Sequence, residues 1–329
     1  MSGILDKIVA SKREEVAAWK AARPLARVRE EALAAAPALD FTGALRGHRP
    51  RRSAAESTEN TESIENTLAM EMPLANVIAE IKRRSPSKGE FPWHGDVTRQ
   101  ARDYQRGGAS AISVVTDGPF FGGHTDMLGE VKAAVGVPVL QKEFLLDPWQ
   151  VFHARALGAD ACLLIAAILP GGLLAEMLAA AREAAIDTLV EVVDEEEFAR
   201  ADDAGAVVVG VNNRDLKTFT VDPARTERLL PLYREGQVCI AESGIHTPED
   251  VARLSRAGVD GFLVGEALMT AKDPAAHLRA LCRPAMIMQG KQAGEMSGKQ
   301  AGQQAGSAAG SGKETAAGGA ALPAKGTGT

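Results

Sequence analysis

The stretch Val77-Ile78-Ala79-Glu80-Ile81-Lys82-Arg83-Arg84-Ser85-Pro86-Ser87-Lys88-Gly89 joins an apolar run, a charged pair and a polar turn. Val77 to Ile81 is apolar apart from Glu80, the composition of a parallel strand covered on both faces. Glu80 and Lys82 stand two apart, so the pleat of a strand points both side chains to one face. Acid and base aimed inward together are costly for a structural core. An active site is one explanation and a strand-end salt bridge is the other, since structural ion pairs also cluster charges. The Ser, Pro, Ser and Gly that follow are turn chemistry.

Outward from this strand, the chain alternates strand and helix from Ala75 to Cys282. The strands are expected at Val77–Ile81, Ala111–Thr116, Pro138–Glu143, Ala161–Ile165, Thr188–Val192, Val207–Asn212, Val238–Ser243 and Gly261–Val264. Amphipathic helices are expected between them, among others at Thr125–Val135, Pro148–Leu157, Gly172–Ala185, Asp194–Ala204 and Thr247–Ala257. Asp147 before Pro148, and Thr247 with Asp250 three residues on, are good N-terminal caps. Gly107, Gly158, Gly205 and Gly258 are placed to close helices before the next strand. About eight units of roughly 20–35 residues predict an α/β fold, a (β/α)8 TIM barrel. A doubly wound open sheet is the alternative; it usually carries a Gly-rich dinucleotide loop after an early strand, and none is found.

Residues 4 to 36 are helical by pattern, with Ile4, Ile8, Val16 and Trp19 on one stripe and Pro24 opening a second run. The chain therefore divides into N-terminal helices packing on the barrel (1–47), a polar insertion (48–74), the barrel (75–284) and a low-complexity tail (285–329). The tail is Gly, Ala, Gln, Ser and Lys, which cannot bury a core, so it is expected to be disordered and without a catalytic role.

The 329 residues are 45% hydrophobic and carry a formal net charge of −6, which argues against a basic nucleic-acid surface. Aromatic residues make up only 4%, too few for a platform that stacks bases. Cys162, Cys239 and Cys282 lie far apart without C-x-x-C spacing, so neither a zinc site nor a disulfide framework is indicated. The N-terminus lacks a secretory h-region, and no run approaches the ~20 apolar residues of a membrane helix. A cytoplasmic protein is expected, with no nucleic-acid or membrane partner, as a monomer or weak homodimer.

In a barrel of this type the active site lies at the C-terminal strand ends. The first strand ends in Glu80-Ile81-Lys82, the third in Gln141-Lys142-Glu143-Phe144 and the fifth in Val190-Glu191-Val192. The sixth ends in Val211-Asn212-Asn213-Arg214-Asp215, the seventh in Ala241-Glu242-Ser243-Gly244 and the eighth in Val264-Gly265-Glu266-Ala267. Two lysines and two glutamates thus converge on one rim, and the six histidines show no metal spacing. Proton transfer by Lys and Glu is expected, with no metal or cofactor. A lysine near another cation and out of water would have a lowered pKa.

Small residues at Ser243-Gly244 and Gly265 fall where barrels bind phosphate, after strands seven and eight. Tight turns are the plainer explanation for the same glycines. Glu266 is unwelcome beside a phosphate and is expected to point away. Asn212 ends its strand facing inward, as a hydrogen-bonding group for a ligand. His94 and His124 lie in loops that could touch a ligand, although solvated loop histidines are commoner. Phe120 and Phe121 are placed either to stack on an aromatic substrate or simply to pack. Arg83, Arg84, Arg214 and Asp215 are expected in surface or rim ion pairs.

Six ordered motifs from about Ala75 to Met269 resemble the indole-3-glycerol phosphate synthase family. They are Ile78 to Ser87, Phe120-Phe121-Gly122-Gly123, Gln141 to Phe144, Gly210 to Leu216, Ala241 to Ile245 and Phe262 to Gly265. The N-terminal helices also resemble that family's extra helices over the barrel mouth. The resemblance implies a carbon–carbon lyase acting on a phosphorylated small molecule, 1-(2-carboxyphenylamino)-1-deoxyribulose 5-phosphate. By the same resemblance Lys142 would be the general acid of ring closure and Glu191 the base that assists loss of water. Lys82 would bind the anthranilate carboxylate, and Glu80 and Asn212 would orient these groups. Ser243, Gly244 and Gly265 would hold the phosphate, Ser85 would cap the loop after the first strand, and Phe120 would line the anthranilate pocket. Glu143 departs from a commoner Asp, and Glu266 from a commoner Ser. The 48–70 insertion and the tail lie outside the family pattern as expected here. Another barrel enzyme, such as phosphoribosylanthranilate isomerase, would need a Cys/Asp-type pair, and no Cys sits on the rim. A catalytically silent binding barrel is opposed by the presence of Glu80, Lys82, Lys142, Glu191 and Asn212 together.

Overall fold

Eight parallel strands close on themselves in the order β1-β8-β7-β6-β5-β4-β3-β2. They are β1 (Asn76–Ile81), β2 (Ala111–Val115), β3 (Val139–Lys142), β4 (Ala161–Ile165), β5 (Asp187–Val192), β6 (Val208–Asn212), β7 (Val238–Glu242) and β8 (Gly261–Val264). Each differs from its sequence-based range by no more than a residue or two at an end. The structure, a computed structural model, describes residues 3–46, 74–92, 96–215 and 220–283. The insertion expected at 48–74, apart from Leu74, the tail expected at 285–329 and His94 lie outside these residues.

Register closes the ring: Ile78 of β1 faces Leu263 of β8 on one side and Ala111 of β2 on the other. The strands are near-continuous Val, Ile, Leu and Ala because one face fills the barrel and the other lies under helices. Around them run α4 (Val97–Gly107), α5 (Asp126–Ala134), α6 (Pro148–Ala156), α7 (Leu173–Glu183), α8 (Glu195–Asp203), α9 (Arg225–Leu229), α10 (Pro248–Ala257), α11 (Glu266–Met269) and α12 (Pro274–Cys282). Asp147 accepts the Trp149 N–H at 2.9 Å to start α6, and Thr247 and Asp250 form a capping box on α10. The left-handed residue that ends α4 is Gly108, with φ +99°, and Gly107 is still helical, so the helix stops one residue later than expected.

The N-terminal segment folds as α1 (Ile4–Ala22), α2 (Leu25–Ala34) and α3 (Phe41–Arg46). It grips the barrel at both ends. Trp149 of α6 donates its indole N–H to the Arg23 carbonyl at 2.8 Å. At the strands' N-terminal end, Asp160 accepts the Leu39 N–H at 2.7 Å and Asp187 accepts the Thr42 N–H at 2.9 Å. Phe41 and Leu45 are fully buried there, each contributing roughly 1.5–3 kcal/mol of apolar burial. No helix among the described residues is long and apolar enough to cross a membrane.

Candidate active site

TIM barrels fill their interior with layers of four side chains drawn from alternate strands. The layer nearest the C-terminal mouth is drawn from the odd strands: Glu80 of β1, Lys142 of β3, Glu191 of β5 and Glu242 of β7. It contains one cation and three carboxylates. Lys142 Nζ lies 2.6 Å from Glu242, 3.5 Å from Glu191 and 3.9 Å from Glu80. The three carboxylates are at most 4% exposed, whereas Lys142 is 18% exposed and opens to the cavity above. Glycines beside the layer make room for it. A Cβ on Gly210 would come within 2.2 Å of a Glu242 oxygen, and one on Gly265 within 2.3 Å of a Glu80 oxygen.

A second shell of contacts fixes the layer. Lys82 Nζ sits 2.6 Å from Glu80, as the two-residue spacing predicts, and 5.5 Å from the centre of the Phe91 ring. Asn212 donates from Nδ2 to Glu191 at 3.0 Å and accepts the Arg214 N–H at 3.0 Å. Asn213, one residue on, donates its N–H to the Glu242 carbonyl at 2.9 Å and so ties the ends of β6 and β7.

Burial alone would lower the Lys142 pKa, but Glu242, Glu191 and Glu80 outweigh it and hold the ammonium above the ordinary lysine range. The expected direction was the reverse, because spacing along the chain cannot show that three carboxylates from three strands meet one lysine. Burial raises the Glu80 carboxyl, yet Lys82 and Lys142 more than offset this and leave it below the ordinary range. The Glu242 carboxyl is pushed up by burial, against Lys142 and with the help of the Glu191 and Glu80 charges. One of its oxygens is buried without a hydrogen-bond partner.

The cavity above is edged by Ser85, Phe121, Ser243, Gly244, Gly265 and Glu266, among others. Ser85 Oγ accepts the Lys88 N–H at 3.2 Å inside the turn after β1. Ser243 and Gly244 lie in the left-handed region, with φ of +64° and +73°, and bend the chain sharply at the cavity edge. Phe121 lines the cavity and packs 5.9 Å from the Phe144 ring, whereas the expected Phe120 is not among the lining residues. Glu266 does not point away: its carboxylate is 3.2 Å from Arg214 and 3.1 Å from Lys88 at the cavity edge. Arg214 is thus a cavity residue as well as a rim ion-pair partner. His124 is exposed, and its Nδ1 accepts the Asp126 N–H at 3.2 Å, away from the cavity.

A family model described as indole-3-glycerol phosphate synthase matches residues 49–281. The chain belongs to that family. The matched stretch takes in nearly all of the 48–70 segment that was expected to lie outside the family pattern. Among curated relatives, the indole-3-glycerol phosphate synthase of Laribacter hongkongensis is 44% identical over 282 residues, covering 85% of this chain and 99% of that protein. That of an Azoarcus species is 45% identical over 283 residues, with the same coverage of each chain. Indole-3-glycerol phosphate synthase 2 of Streptomyces coelicolor is 43% identical over 281 residues, again covering 85% and 99%. Membership in the family makes the chain an enzyme, a carbon–carbon lyase with a TIM-barrel fold.

Proposed function

We propose that the chain converts 1-(2-carboxyphenylamino)-1-deoxyribulose 5-phosphate to indole-3-glycerol phosphate, carbon dioxide and water by Lys/Glu acid–base catalysis without a metal. The observation that carries this is Lys142, a charged lysine inside a layer of three buried carboxylates and open to the cavity on one side.

Ring closure joins an aromatic carbon to the substrate ketone, and negative charge develops on the ketone oxygen. A preformed ammonium that pays no reorganisation at that moment is the right group to meet it. Lys142 serves as that acid and gives the oxygen its proton. Loss of carbon dioxide from the same ring carbon then restores the aromatic ring. The new hydroxyl leaves as water once an acid protonates it and a base removes a proton from the neighbouring ring carbon beside nitrogen, which forms the indole double bond; Glu191, oriented by Asn212, is that base. Lys82, held by Glu80, takes the substrate carboxylate before its loss. The phosphate is assigned to Ser243, Gly244 and Gly265, where Arg214 and Lys88 bring positive charge to the cavity edge. Glu266 already engages both cations, so it weakens rather than adds to that contact.

Lys142→Ala is expected to lower kcat about 10²–10⁴-fold, the usual range for a positioned acid, while product binding by fluorescence changes little. A variant with near-normal turnover removes Lys142 from the acid's role.

A further inference from the structure

Helix α1 buries Ile8, Lys12 and Val16, one stripe at four-residue spacing with a lysine in its middle. Lys12 is 1% exposed, an uncommon state for this side chain, and it is tied to the barrel rather than to solvent. Its ammonium lies 3.0 Å from Glu143, 3.2 Å from Asp117 and 2.8 Å from Glu15. Asp117 lies two residues past the end of β2, and Glu143 directly follows the adjacent strand β3. Both carboxylates hold part of the cavity wall. Asp117 accepts the N–H groups of Phe120 at 2.9 Å and Phe121 at 3.1 Å. Glu143 accepts the Phe144 N–H at 2.8 Å and the Thr116 hydroxyl at 2.9 Å, and it is the residue next to Lys142.

We infer that Lys12 is a positioning residue, which fixes the Phe121–Phe144 wall and the flank of Lys142 by bridging Asp117 and Glu143. Two buried carboxylates on neighbouring strand ends repel each other unless a cation stands between them. Within the described residues, Lys12 is the cation within ion-pair distance of both. The helix that supplies it is not hung on this contact alone. Lys20 pairs with Asp147 at 2.5 Å and Trp149 holds the Arg23 carbonyl, so loss of the Lys12 charge leaves α1 docked. The N-terminal segment thereby acts on the catalytic layer although it lies outside the barrel. The kinetic part of this inference rests on the proposed function; the structural part does not.

Two variants separate the roles. Lys12→Met keeps the apolar stem and removes the charge, and Lys12→Arg keeps the charge. Amide hydrogen exchange over residues 118–123 and 143–146 is expected to run about fivefold or more faster in Lys12→Met, with β6 unchanged and protection restored in Lys12→Arg. Turnover per folded molecule is expected to fall about tenfold or more in Lys12→Met with KM little changed, and to recover in Lys12→Arg. Exchange that quickens only within α1, or wild-type kcat in folded Lys12→Met, overturns the inference. If the wild-type protein makes no indole product, the functional assignment fails instead, and the exchange comparison alone decides the role of Lys12.

Discussion

At the residue scale the site is an exercise in charge balance. Lys142 meets three carboxylates, Lys12 bridges two more just behind it, and glycines leave the space that the carboxylates fill. Gly265 has φ −121°, outside the left-handed region, so replacing it acts chiefly through contact. Gly265→Ala is expected to push the Glu80 carboxylate off its position, lowering kcat about 10²-fold with a stability loss of about 1–3 kcal/mol; wild-type kcat in that variant would show that Glu80 need not be held where it is. His153, stacked on Trp149 at 4.6 Å, is lowered to about 4 by burial and then by Arg23. The fold therefore keeps it neutral, while the unfolded chain takes up a proton below about 6.5. Its contribution is complete above that pH and is lost as the pH falls towards about 4. Urea unfolding should give a wild-type advantage over His153→Gln that is smaller at pH 5 than at pH 7, and an equal advantage at both would contradict this. Glu80, Lys82, Lys142, Glu191 and Asn212 were legible because each ends a strand that its sequence betrays. Glu242 stood in plain view at the end of β7, but its partner Lys142 lies a hundred positions away, and only closure of the barrel joins them. Lys12 sat on a helical stripe that reads as ordinary amphipathic surface until the carboxylates beneath it are seen.

At the scale of elements, the strands were legible almost to the residue. Buried parallel strands write themselves as short apolar runs, and the caps Asp147 and Thr247 mark where helices begin. What pattern could not give was how α1 to α3 wrap the barrel, because their anchors are single acids far along the chain. Asp160, at the turn into β4, is fully buried and accepts the N–H groups of Leu39 at 2.7 Å and Val139 at 2.8 Å, with Lys132 at 2.6 Å. The buried Val139 amide and the half-buried Leu39 amide lose their acceptor in Asp160→Ala, and Lys132 loses its carboxylate, so that variant should be destabilised by about 3 kcal/mol in urea unfolding. Because Asp160 lies at the N-terminal end of the barrel, kcat of the folded variant should stay near wild type. A loss below about 1 kcal/mol would mean that the N-terminal segment is held by other contacts.

At the scale of the molecule, eight strands bring Glu80, Lys82, Lys142, Glu191 and Asn212 to one cavity, and closure of β1 against β8 brings both ends of the barrel's sequence to it as well. The order of motifs along the chain was enough to point to the family, since each motif falls at a strand end and the barrel turns that linear order into a ring. The central claim, a lyase that forms indole-3-glycerol phosphate with side-chain acids and bases, is tested most directly by one assay. Purified protein is mixed with 1-(2-carboxyphenylamino)-1-deoxyribulose 5-phosphate in buffer containing EDTA, and indole fluorescence is followed. A steady rise in indole-3-glycerol phosphate, undiminished by EDTA, is the predicted result. Folded protein that forms no product, or forms it only without the chelator, would contradict the Lys/Glu mechanism proposed for this barrel.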